Sequence, residues 1–382
     1  MQLSKRNNFW PALSVVALAF LLLGVSLFSP SSSAQKVKEL PPPPPAPTYK
    51  PKPTPTPAPI EYEVVRVNSN LVVVPVSVTD AQTGQPVLGL KPTDFHIEED
   101  GRPQQVAQLG DPEQVPLDIA LLVDVSGSVV SRFDFEQRAA ASFIKYVLKP
   151  DDRATVFAID NKPQFIQKLT TAEVAAQSVM TIKPSNSYTA FFDSVLAAVK
   201  YLDESSTNGR RRIAVVISDG DETARILEVS QLQSPTVAPN TANAKATPTP
   251  KPVQSFGQEA QSQMLDRATT DTQREVQRAE VTFYSINPSG QTLHLNVRTA
   301  RAEAGMERIA AATGGRSFIP GHDDELVAIF NLIAAEIRSQ YLLQYYSDNQ
   351  TGARAFRQIT VSSPTRPQLR VRAREGYYPK GK

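Results

Sequence analysis

The sequence predicts an α/β fold, in which a doubly wound, mainly parallel sheet is accompanied by a small β-sandwich-like domain built from the segments that flank it. Two observations carry this prediction. Apolar stretches of strand length alternate with stretches of helix length over residues 116–346, as expected when strands and helices build a parallel sheet. Residues 61–115 and 347–379 instead show the two-residue alternation of half-buried antiparallel strands.

The central domain, residues 116–346, has five predicted strands and six predicted helices. Apolar stretches predict strands at 117–123, 153–159, 212–218, 281–287 and 315–319. Helices are predicted near 134–148, 171–181, 190–203, 262–279, 303–312 and 323–339. In a sheet of this kind, ligands bind outside the carboxyl ends of the strands. Polar residues that follow predicted strands are therefore the first candidates for a site.

The two ends of the chain predict one β-domain, with the central domain inserted between its halves. Alternating apolar residues predict strands near 71–78 and 369–373. In the second strand the intervening positions are Arg370, Arg372 and Arg374, and we interpret them as its solvent-facing side rather than as a nucleic-acid patch. Residues 61–115 alone are too short for a sandwich, so the prediction combines them with residues 347–379.

The N-terminal segment, residues 1–34, predicts a secretory signal peptide. Two basic residues precede an uncharged, mostly apolar stretch over 9–28, and small residues at 32–34 supply a cleavage site. An uncleaved membrane anchor is the alternative, because the stretch is just long enough to span a bilayer. Export would place the protein in the periplasm, in the cell envelope or outside the cell.

Two further segments do not have the pattern of a packed core. Residues 35–60 are rich in proline and predict a stiff, extended linker that holds the folded part away from a membrane or wall. Residues 231–260 combine proline, threonine and alanine and predict a disordered insertion in the central domain.

The composition excludes several kinds of site. The chain has 40 basic and 38 acidic residues, and without the two basic residues of segment 1–34 the counts are equal, so the charge does not indicate a nucleic-acid partner. There is no cysteine, which excludes disulfides, thiolate metal sites and a cysteine nucleophile. The histidines His96, His294 and His322 lack the spacing of zinc ligands.

The run 124–128, Asp-Val-Ser-Gly-Ser, directly follows the first predicted strand of the central domain. Alternate residues of an extended segment point the same way, so oxygens of Asp124, Ser126 and Ser128 can converge if the chain turns at Gly127. Three hard oxygen donors with one formal charge suit a small hard cation such as Mg2+, with water at the remaining positions. The run therefore predicts a metal site with spare valence for an outside ligand.

Two more groups of oxygen-bearing side chains lie where a helix begins or a strand ends. Thr189 opens one predicted helix, and Ser218 and Asp219 end a predicted strand. Because ligands of parallel sheets bind at the carboxyl edge, we expect these groups at the same edge as the first one. The acids Asp221 and Glu222 that follow are interpreted as helix-start residues on a solvated loop.

This three-part pattern resembles the metal-ion-dependent adhesion site of von Willebrand factor type A domains. The order of the motifs, their spacing and their secondary-structure context all agree. The resemblance implies that Ser126 and Ser128 ligate the metal through their hydroxyls, and that Thr189 supplies a third hydroxyl, directly or through water. It also implies that Asp124 and Asp219 hold coordinated waters, and that a partner's carboxylate fills the sixth position.

The resemblance covers most of residues 65–378 and extends to a bacterial, Acidobacteria-type branch of these proteins. The segments that carry it are 87–90, 94–95, 99–101, 313–316, 337–343 and 371–378. The insertion 231–260 departs from it. Because this insertion follows Asp219 closely, it could flank or screen the metal face.

Together, the signal segment, the linker and the ion site predict an exported protein-binding module that depends on a metal and serves adhesion or scaffolding. Its partner would be a protein or peptide that presents Asp or Glu to the ion. Mg2+ is the expected ion, with Mn2+ and Ca2+ as alternatives. No nucleic acid is expected as a partner, and a membrane only through an uncleaved N-terminal segment.

Three other interpretations stay open. The run 124–128 could be a hydrogen-bonded strand-to-helix turn without a metal. The protein could be a metal-dependent enzyme or an accessory subunit of a larger complex, but neither Ser126 nor Ser128 has a recognisable base and no nucleophile elbow is present, so we expect no enzyme activity. An envelope scaffold that assembles through the edges of its β-domain is the third.

Overall fold

The computed structural model describes residues 71–127, 132–232, 254–290, 297–322, 325–349 and 355–379, all within one unit of the chain, Arg66–Lys382. The predicted signal peptide, the predicted linker, the first ten residues of the N-terminal β-region, Ser128 and the middle of the predicted insertion lie outside these ranges. Within the described ranges, no helix has both the length and the apolar character needed to cross a membrane.

The described residues form fourteen β-strands and seven α-helices. The strands are β1 (Leu71–Asp80), β2 (His96–Glu99), β3 (Arg102–Gln104), β4 (Gln108–Gly110), β5 (Leu117–Asp124), β6 (Arg153–Ile159), β7 (Pro163–Thr170), β8 (Arg211–Ile217), β9 (Val281–Ile286), β10 (Arg316–Phe318), β11 (Tyr341–Tyr346), β12 (Arg357–Ser362), β13 (Leu369–Ala373) and β14 (Gly376–Tyr377). The helices are α1 (Phe133–Val147), α2 (Ala172–Val179), α3 (Phe191–Ser205), α4 (Thr223–Leu232), α5 (Gln254–Arg278), α6 (Val297–Ala312) and α7 (Glu325–Ser339).

Six strands form the central sheet, in the order β10-β9-β8-β5-β6-β7. Neighbouring strands from β10 to β6 are parallel, and β7 is antiparallel to β6. Every residue of β5 and β8 is buried, so both faces of the sheet need apolar cover. Helices α1, α2 and α7 pack on one face, and α3, α5 and α6 pack on the other. The predicted doubly wound, mainly parallel fold is confirmed.

The sequence does not predict two elements of this domain, β7 and α4. Strand β7 lies at the edge of the sheet, where only one side is paired, and polar residues such as Gln164 and Lys168 interrupt its apolar alternation. Helix α4 begins directly after the loop that carries Asp219. It therefore connects one part of the predicted site to the insertion.

The predicted disordered insertion, 231–260, is wrong at both ends. Helix α4 continues to Leu232, and α5 begins at Gln254. The prolines of the insertion end at Pro252, and the glutamine, glutamate and alanine residues that follow are good helix formers. The proline, threonine and alanine content of the middle of this segment therefore gave misleading boundaries.

The segments that flank the central domain form two four-stranded sheets, β13-β1-β11-β4 and β14-β12-β2-β3. Strands from the two ends of the chain pair directly, because β1 is antiparallel to β13 and β2 is antiparallel to β12. One apolar cluster joins the sheets, with Val74, Val76 and Ile97 from the N-terminal segment and Leu343 and Ile359 from the C-terminal segment. The flanking segments therefore share one core.

Strand β11 belongs to these flanking sheets and not to the central domain, whose end was predicted at residue 346. It pairs with β1, where Leu343 lies opposite Val74, and with β4 on its other side. The predicted boundary is wrong because a short apolar run indicates a buried strand without indicating which sheet the strand joins.

The three predicted solvent-facing arginines, Arg370 and Arg372 on β13 and Arg374 directly after it, are not all on a solvent-facing side. The side chains of Arg372 and Arg374 are only 19% and 11% exposed, and they form ion pairs with Glu336 and Glu280 of the central domain. Arg370 is exposed. The prediction is wrong for two of the three because it treated β13 as the outer face of an isolated domain, whereas the central domain covers part of that face.

Candidate metal site

The five parallel strands of the central sheet, β5, β6, β8, β9 and β10, end at one edge. The polar residues there are Asp124, the last residue of β5, and Asp160, Ser218 and Asn287, which directly follow β6, β8 and β9. The ladders align these ends, since Asp124 lies opposite the last residue of β6 and the last residues of β8 and β9 lie opposite each other. We call this place the C-terminal edge. It is where the sequence predicts the metal site.

Asp124 is fully buried at this edge. Its Oδ1 accepts the backbone N–H of Ser126 at 2.9 Å, and its Oδ2 accepts the hydroxyl of Ser218 at 2.6 Å. Burial raises the pKa of Asp124 to about 6, and the nearby charge of Asp219 adds to this effect, while the hydrogen bonds from Ser218 and Ser126 oppose it. A buried carboxylate that retains its charge with difficulty is stabilised by a cation.

Ser126 lies on the turn that follows β5, where it is 3% exposed. Its hydroxyl hydrogen-bonds to the carboxylate of Asp124. The turn is held from two sides, because the Val125 N–H donates to the last carbonyl of β6 at 3.1 Å and the Ser185 N–H donates to the Val125 carbonyl at 2.6 Å. Ser128, the other predicted hydroxyl ligand of this run, lies outside the described residues.

Thr189 is buried just before α3 and is held by its backbone. Its N–H donates to Oγ1 of Thr223 at 2.6 Å, and its carbonyl accepts the N–H of Ala224 at 3.1 Å, so the start of α4 fixes its position. The next residue, Ala190, donates its N–H to the carbonyl of Asp160 at 2.8 Å. Within the described residues, the Thr189 hydroxyl has no hydrogen-bond partner. It is therefore available as a ligand.

Asp160 organises the loop before Thr189, and the sequence prediction missed it. Its Oδ1 accepts the hydroxyl of Ser185 at 3.2 Å, the hydroxyl of Ser187, and the N–H of Asn161 at 2.7 Å. The signal was present in the sequence, because Asp160 follows a predicted strand directly, as the run 124–128 does. Its carboxylate is engaged within the loop, which makes it a positioning residue for Thr189.

Asp219 is half-buried, and its Oδ1 accepts the N–H of Asp221 at 3.1 Å. Asp221 itself forms an ion pair with Arg298 at the start of α6. Glu222 is 2% exposed, so its predicted place on a solvated loop is wrong. Its Oε2 accepts the N–H of Phe192 in the first turn of α3 at 2.9 Å, and burial raises its pKa to about 7.

The residues at the C-terminal edge fit a small divalent cation. Of the predicted ligand set, Asp124, Ser126, Thr189 and Asp219 lie at this edge. The set combines a buried carboxylate with hydroxyls, and that of Thr189 has no partner among the residues that the structure describes. Hard oxygen donors of this kind match Mg2+ and similar ions. In the described ranges, no three His, Cys, Asp or Glu side chains group as metal ligands, so hydroxyls distinguish this candidate site from an imidazole or carboxylate cluster.

Comparison with protein families matches residues 119–222 to the model for the von Willebrand factor type A domain. The matched stretch runs from β5 to the loop after β8 and contains all five predicted metal-site residues. The chain thus contains a von Willebrand factor type A domain, as the motifs predict. Comparison with curated protein sequences gives no match.

Comparison with solved structures also gives matches of low sequence identity, among them the following three. The PilB minor pilin from Streptococcus sanguinis has 14% identity and a TM-score of 0.42, over 59% of this chain and 62% of the pilin. The vWF domain of the type V pili tip protein Mfa5 from Porphyromonas gingivalis has 13% identity and a TM-score of 0.40, over 58% and 94%. Proximal thread matrix protein 1 from the mussel byssus, with a zinc-occupied MIDAS motif, has 12% identity and a TM-score of 0.37, over 62% and 48%. The chain thus spans less than two thirds of the pilin it matches.

Proposed function

We propose that this protein is an exported, metal-dependent binding module for adhesion or scaffolding, which captures a carboxylate of a protein partner through Mg2+ at the C-terminal edge. The observation that carries the proposal is the state of two side chains at this edge, Asp124 and Thr189. Asp124 is held in place by Ser126 and Ser218 although burial disfavours its charge, and the Thr189 hydroxyl has no partner within the described residues. Both groups gain from a bound cation.

The residues have separate roles in this proposal. Ser126, Ser128 and Thr189 would hold the ion through hydroxyl oxygens, while Asp124 and Asp219 would orient its waters. A divalent ion held mainly by neutral oxygens supplies an electrophilic position that an outside carboxylate can fill. Ser218 fixes the carboxylate of Asp124, and Asp160 fixes the loop that carries Thr189. This arrangement binds and orients an acidic group.

The site favours binding over catalysis. The hydroxyl of Ser126 bonds to Asp124, a carboxylate that a cation would keep ionised, rather than to an imidazole that could remove its proton. His96 lies in the flanking β-domain, where its partner is Glu98. We therefore infer that the protein has no enzymatic activity. Its export, its proline-rich linker and its place in the Acidobacteria-type branch remain predictions from the sequence.

Calorimetric titration with Mg2+ and Mn2+ tests the metal site. The wild-type protein should bind the ions, and Ser126→Ala should lose this binding. Ser289→Ala is the matched control, because Ser289 follows β9 at the same edge but is not a proposed ligand. Unchanged binding in Ser126→Ala, or an equal loss in Ser289→Ala, would contradict the assignment.

Selection from a displayed peptide library tests the partner chemistry. Peptides retained in Mg2+ and released by a chelator should contain Asp or Glu, and their Asn or Gln versions should not bind. The Ser126→Ala protein should retain no such peptides. Retention that does not depend on an acidic residue would rule out carboxylate capture even if the metal site is real.

A further inference from the structure

Three arginines lie on β13 and β10, two strands whose adjoining segments are in contact where β13 ends and before β10 begins. Arg370 and Arg372 are two residues apart on β13, so their side chains leave the same face of that strand. Arg316 is the first residue of β10. Strands β9 and β8 separate β10 from β5, so this cluster is distinct from the candidate metal site.

Backbone contacts bring Arg316 next to β13. Thr313 forms an antiparallel bridge with Arg374, and the N–H of Glu375 donates to the carbonyl of Ala312 at 3.1 Å. The approach is so close that a Cβ at Gly314 would lie 2.8 Å from the backbone nitrogen of Arg374. The chain therefore passes from this contact into β10 alongside the strand that carries Arg370 and Arg372.

The positive charges of these three arginines are only partly neutralised by nearby carboxylates. Arg372 pairs with Glu336, a buried carboxylate that also accepts the hydroxyl of Tyr284 at 2.9 Å. Tyr284 lies opposite Arg316 in the β9–β10 ladder, which places Arg316 beside the same pair. Neither Arg316 nor Arg370 has an ion-pair or hydrogen-bond partner within the described residues.

The environment of Arg316 shows the excess of positive charge. Burial is the largest cause that lowers the pKa of Arg316, and the charges of Arg372 and Arg370 lower this pKa further. Two acids oppose this effect, Glu336, which Arg372 already engages, and Glu307 on α6, which is exposed. A half-buried guanidinium without its own counter-ion is unfavourable, and a bound anion would relieve that cost.

The guanidinium of Arg316 also lies over an aromatic ring. Its central carbon lies 4.5 Å from the centroid of the Phe318 ring, a distance at which cation–π attraction operates. Stacking of this kind leaves the N–H donors at the rim of the guanidinium available to a ligand. A donor that is ordered before a ligand arrives loses less entropy when an anion binds.

We infer that Arg316 and Arg370, supported by Arg372, form a binding site for a tetrahedral oxyanion, either a free phosphate or sulfate or the same group carried on a polymer. Arg316 and Arg370 belong to two different strands, β10 and β13, so a ligand between them would receive donors from separate backbones. A tetrahedral ion offers oxygens in more than one plane, whereas a single guanidinium fork satisfies both oxygens of a carboxylate. The geometry therefore favours the tetrahedral ligand.

Titration with inorganic phosphate tests the site, with the purified protein kept in chelator so that no metal contributes. Calorimetry should show saturable binding by the wild-type protein. Arg370→Gln should weaken it by about tenfold or more, since a charge-assisted contact is lost. Arg102→Gln is the matched control, because Arg102 is exposed on β3 and also lacks an ion-pair partner in the described residues. It should bind phosphate as the wild type does.

A second variant should change the affinity for phosphate in the opposite direction. Glu336→Gln keeps an acceptor for Tyr284 but removes the negative charge that opposes the arginines, so it should tighten phosphate binding several-fold. Loss of folding cannot produce this result. Absence of saturable phosphate binding in the wild type, or equal weakening in Arg370→Gln and Arg102→Gln, would overturn the proposal. Acetate binding as tight as phosphate binding would overturn the tetrahedral assignment.

The same calorimetric titration distinguishes a free anion from an anionic group on a polymer. Free sulfate should compete with phosphate if the site takes the isolated ion. A sulfated or phosphate-bearing polysaccharide that binds more tightly than the free ion, and loses that advantage in Arg370→Gln, would assign the site to a polymer. Polymer binding that Arg370→Gln leaves unchanged would exclude this cluster as the polymer site.

Discussion

The hydroxyl of Ser218 donates to Oδ2 of Asp124 across 2.6 Å, and this bond joins the ends of the neighbouring strands β8 and β5. The same hydroxyl oxygen accepts the N–H of Gly220 at 3.0 Å. A continuous path of hydrogen bonds therefore runs from the loop that carries Asp219 to the buried carboxylate. One serine that is not itself a proposed ligand thus bonds both to the carboxylate of Asp124 and to the backbone directly after Asp219.

Removal of this hydroxyl should destabilise the fold. Ser218→Ala leaves a buried carboxylate with fewer hydrogen bonds, so we expect the free energy of unfolding to fall by about 1–3 kcal/mol. Urea denaturation near neutral pH, without added metal, measures this change. The control is Ser285→Ala, an equally buried serine whose partner is the neutral hydroxyl of Ser317. An equal or larger loss in Ser285→Ala would show that the charge of Asp124 adds nothing to the bond.

Thr189→Val should separate metal binding from stability. The Thr189 hydroxyl has no partner within the described residues, and valine has nearly the same shape, so the free energy of unfolding should change by less than about 0.5 kcal/mol. Affinity for Mg2+ should fall by roughly ten- to a hundredfold, because one proposed ligand is lost. Urea denaturation and calorimetry measure the two effects.

Thr155→Val is a control that should lose stability and keep its affinity for Mg2+. Thr155 is fully buried in β6, and its hydroxyl donates to the carbonyl of Gln167 at 2.6 Å. This variant should lose about 1 kcal/mol of stability, since the bond to a backbone acceptor disappears, and it should bind Mg2+ normally. If Thr189→Val retains full Mg2+ affinity, Thr189 is not a ligand.

Glu222 should make stability depend on pH in a defined window. Burial raises its pKa to about 7 in the folded protein from an ordinary value of 4.5, so between these values the folded state binds more protons than the unfolded state. The free energy of unfolding should therefore fall as the pH rises through this window and become constant above it. Glu222→Gln cannot titrate, so its stability should lack this contribution.

The measurement is the difference in unfolding free energy between Glu222→Gln and the wild type, taken from about pH 5 to about pH 8. As the pH rises, the stability of Glu222→Gln relative to the wild type should increase by up to roughly 3 kcal/mol. The titration of Asp124 does not affect this difference, because both proteins contain Asp124. Glu204→Gln, at an exposed position on α3, should show no such trend. A flat difference for Glu222→Gln would mean that Glu222 is ionised normally in the folded protein.

Much of the fold could be predicted because local patterns determine it. The continuous apolar runs of β5 and β8 are buried on both faces, as the pattern requires. The rule that ligands bind at the carboxyl ends of strands selected Asp124 and Asp219 as candidates, and the two residues do lie at one edge of the sheet. The hydroxyl of Thr189 could be included because it opens a helix beside the same edge. Each of these inferences needs only neighbouring residues.

The remaining features depend on contacts between distant parts of the chain. Glu222 is buried because its carboxylate meets the N–H of Phe192, thirty residues earlier, and no local pattern indicates that contact. The sheet that β11 joins is likewise decided by its pairing with β1. Asp160 differs, because its position after a strand was a visible signal. Its partners Ser185 and Ser187 could be identified only from the fold.

Gly315 tests how tightly the chain packs before β10. A Cβ at this position would lie 1.9 Å from the carbonyl oxygen of Phe283 in β9, and a backbone atom of a central strand cannot move aside as a flexible side chain can. We expect Gly315→Ala to lower the free energy of unfolding by about 3 kcal/mol or more, measured by urea denaturation.

Gly209→Ala is the informative comparison for this variant. Gly209 has a φ of +85° with nothing within 4 Å of the added Cβ, so alanine there meets backbone strain without a clash and should cost only about 1 kcal/mol. Gly315 differs in both respects, since its φ is not positive and there is no space for a Cβ atom beside it. If Gly315→Ala proves no worse than Gly209→Ala, the segment before β10 is not packed against β9 in this way. The alignment of Arg316 with Tyr284 in the β9–β10 ladder would then also be wrong.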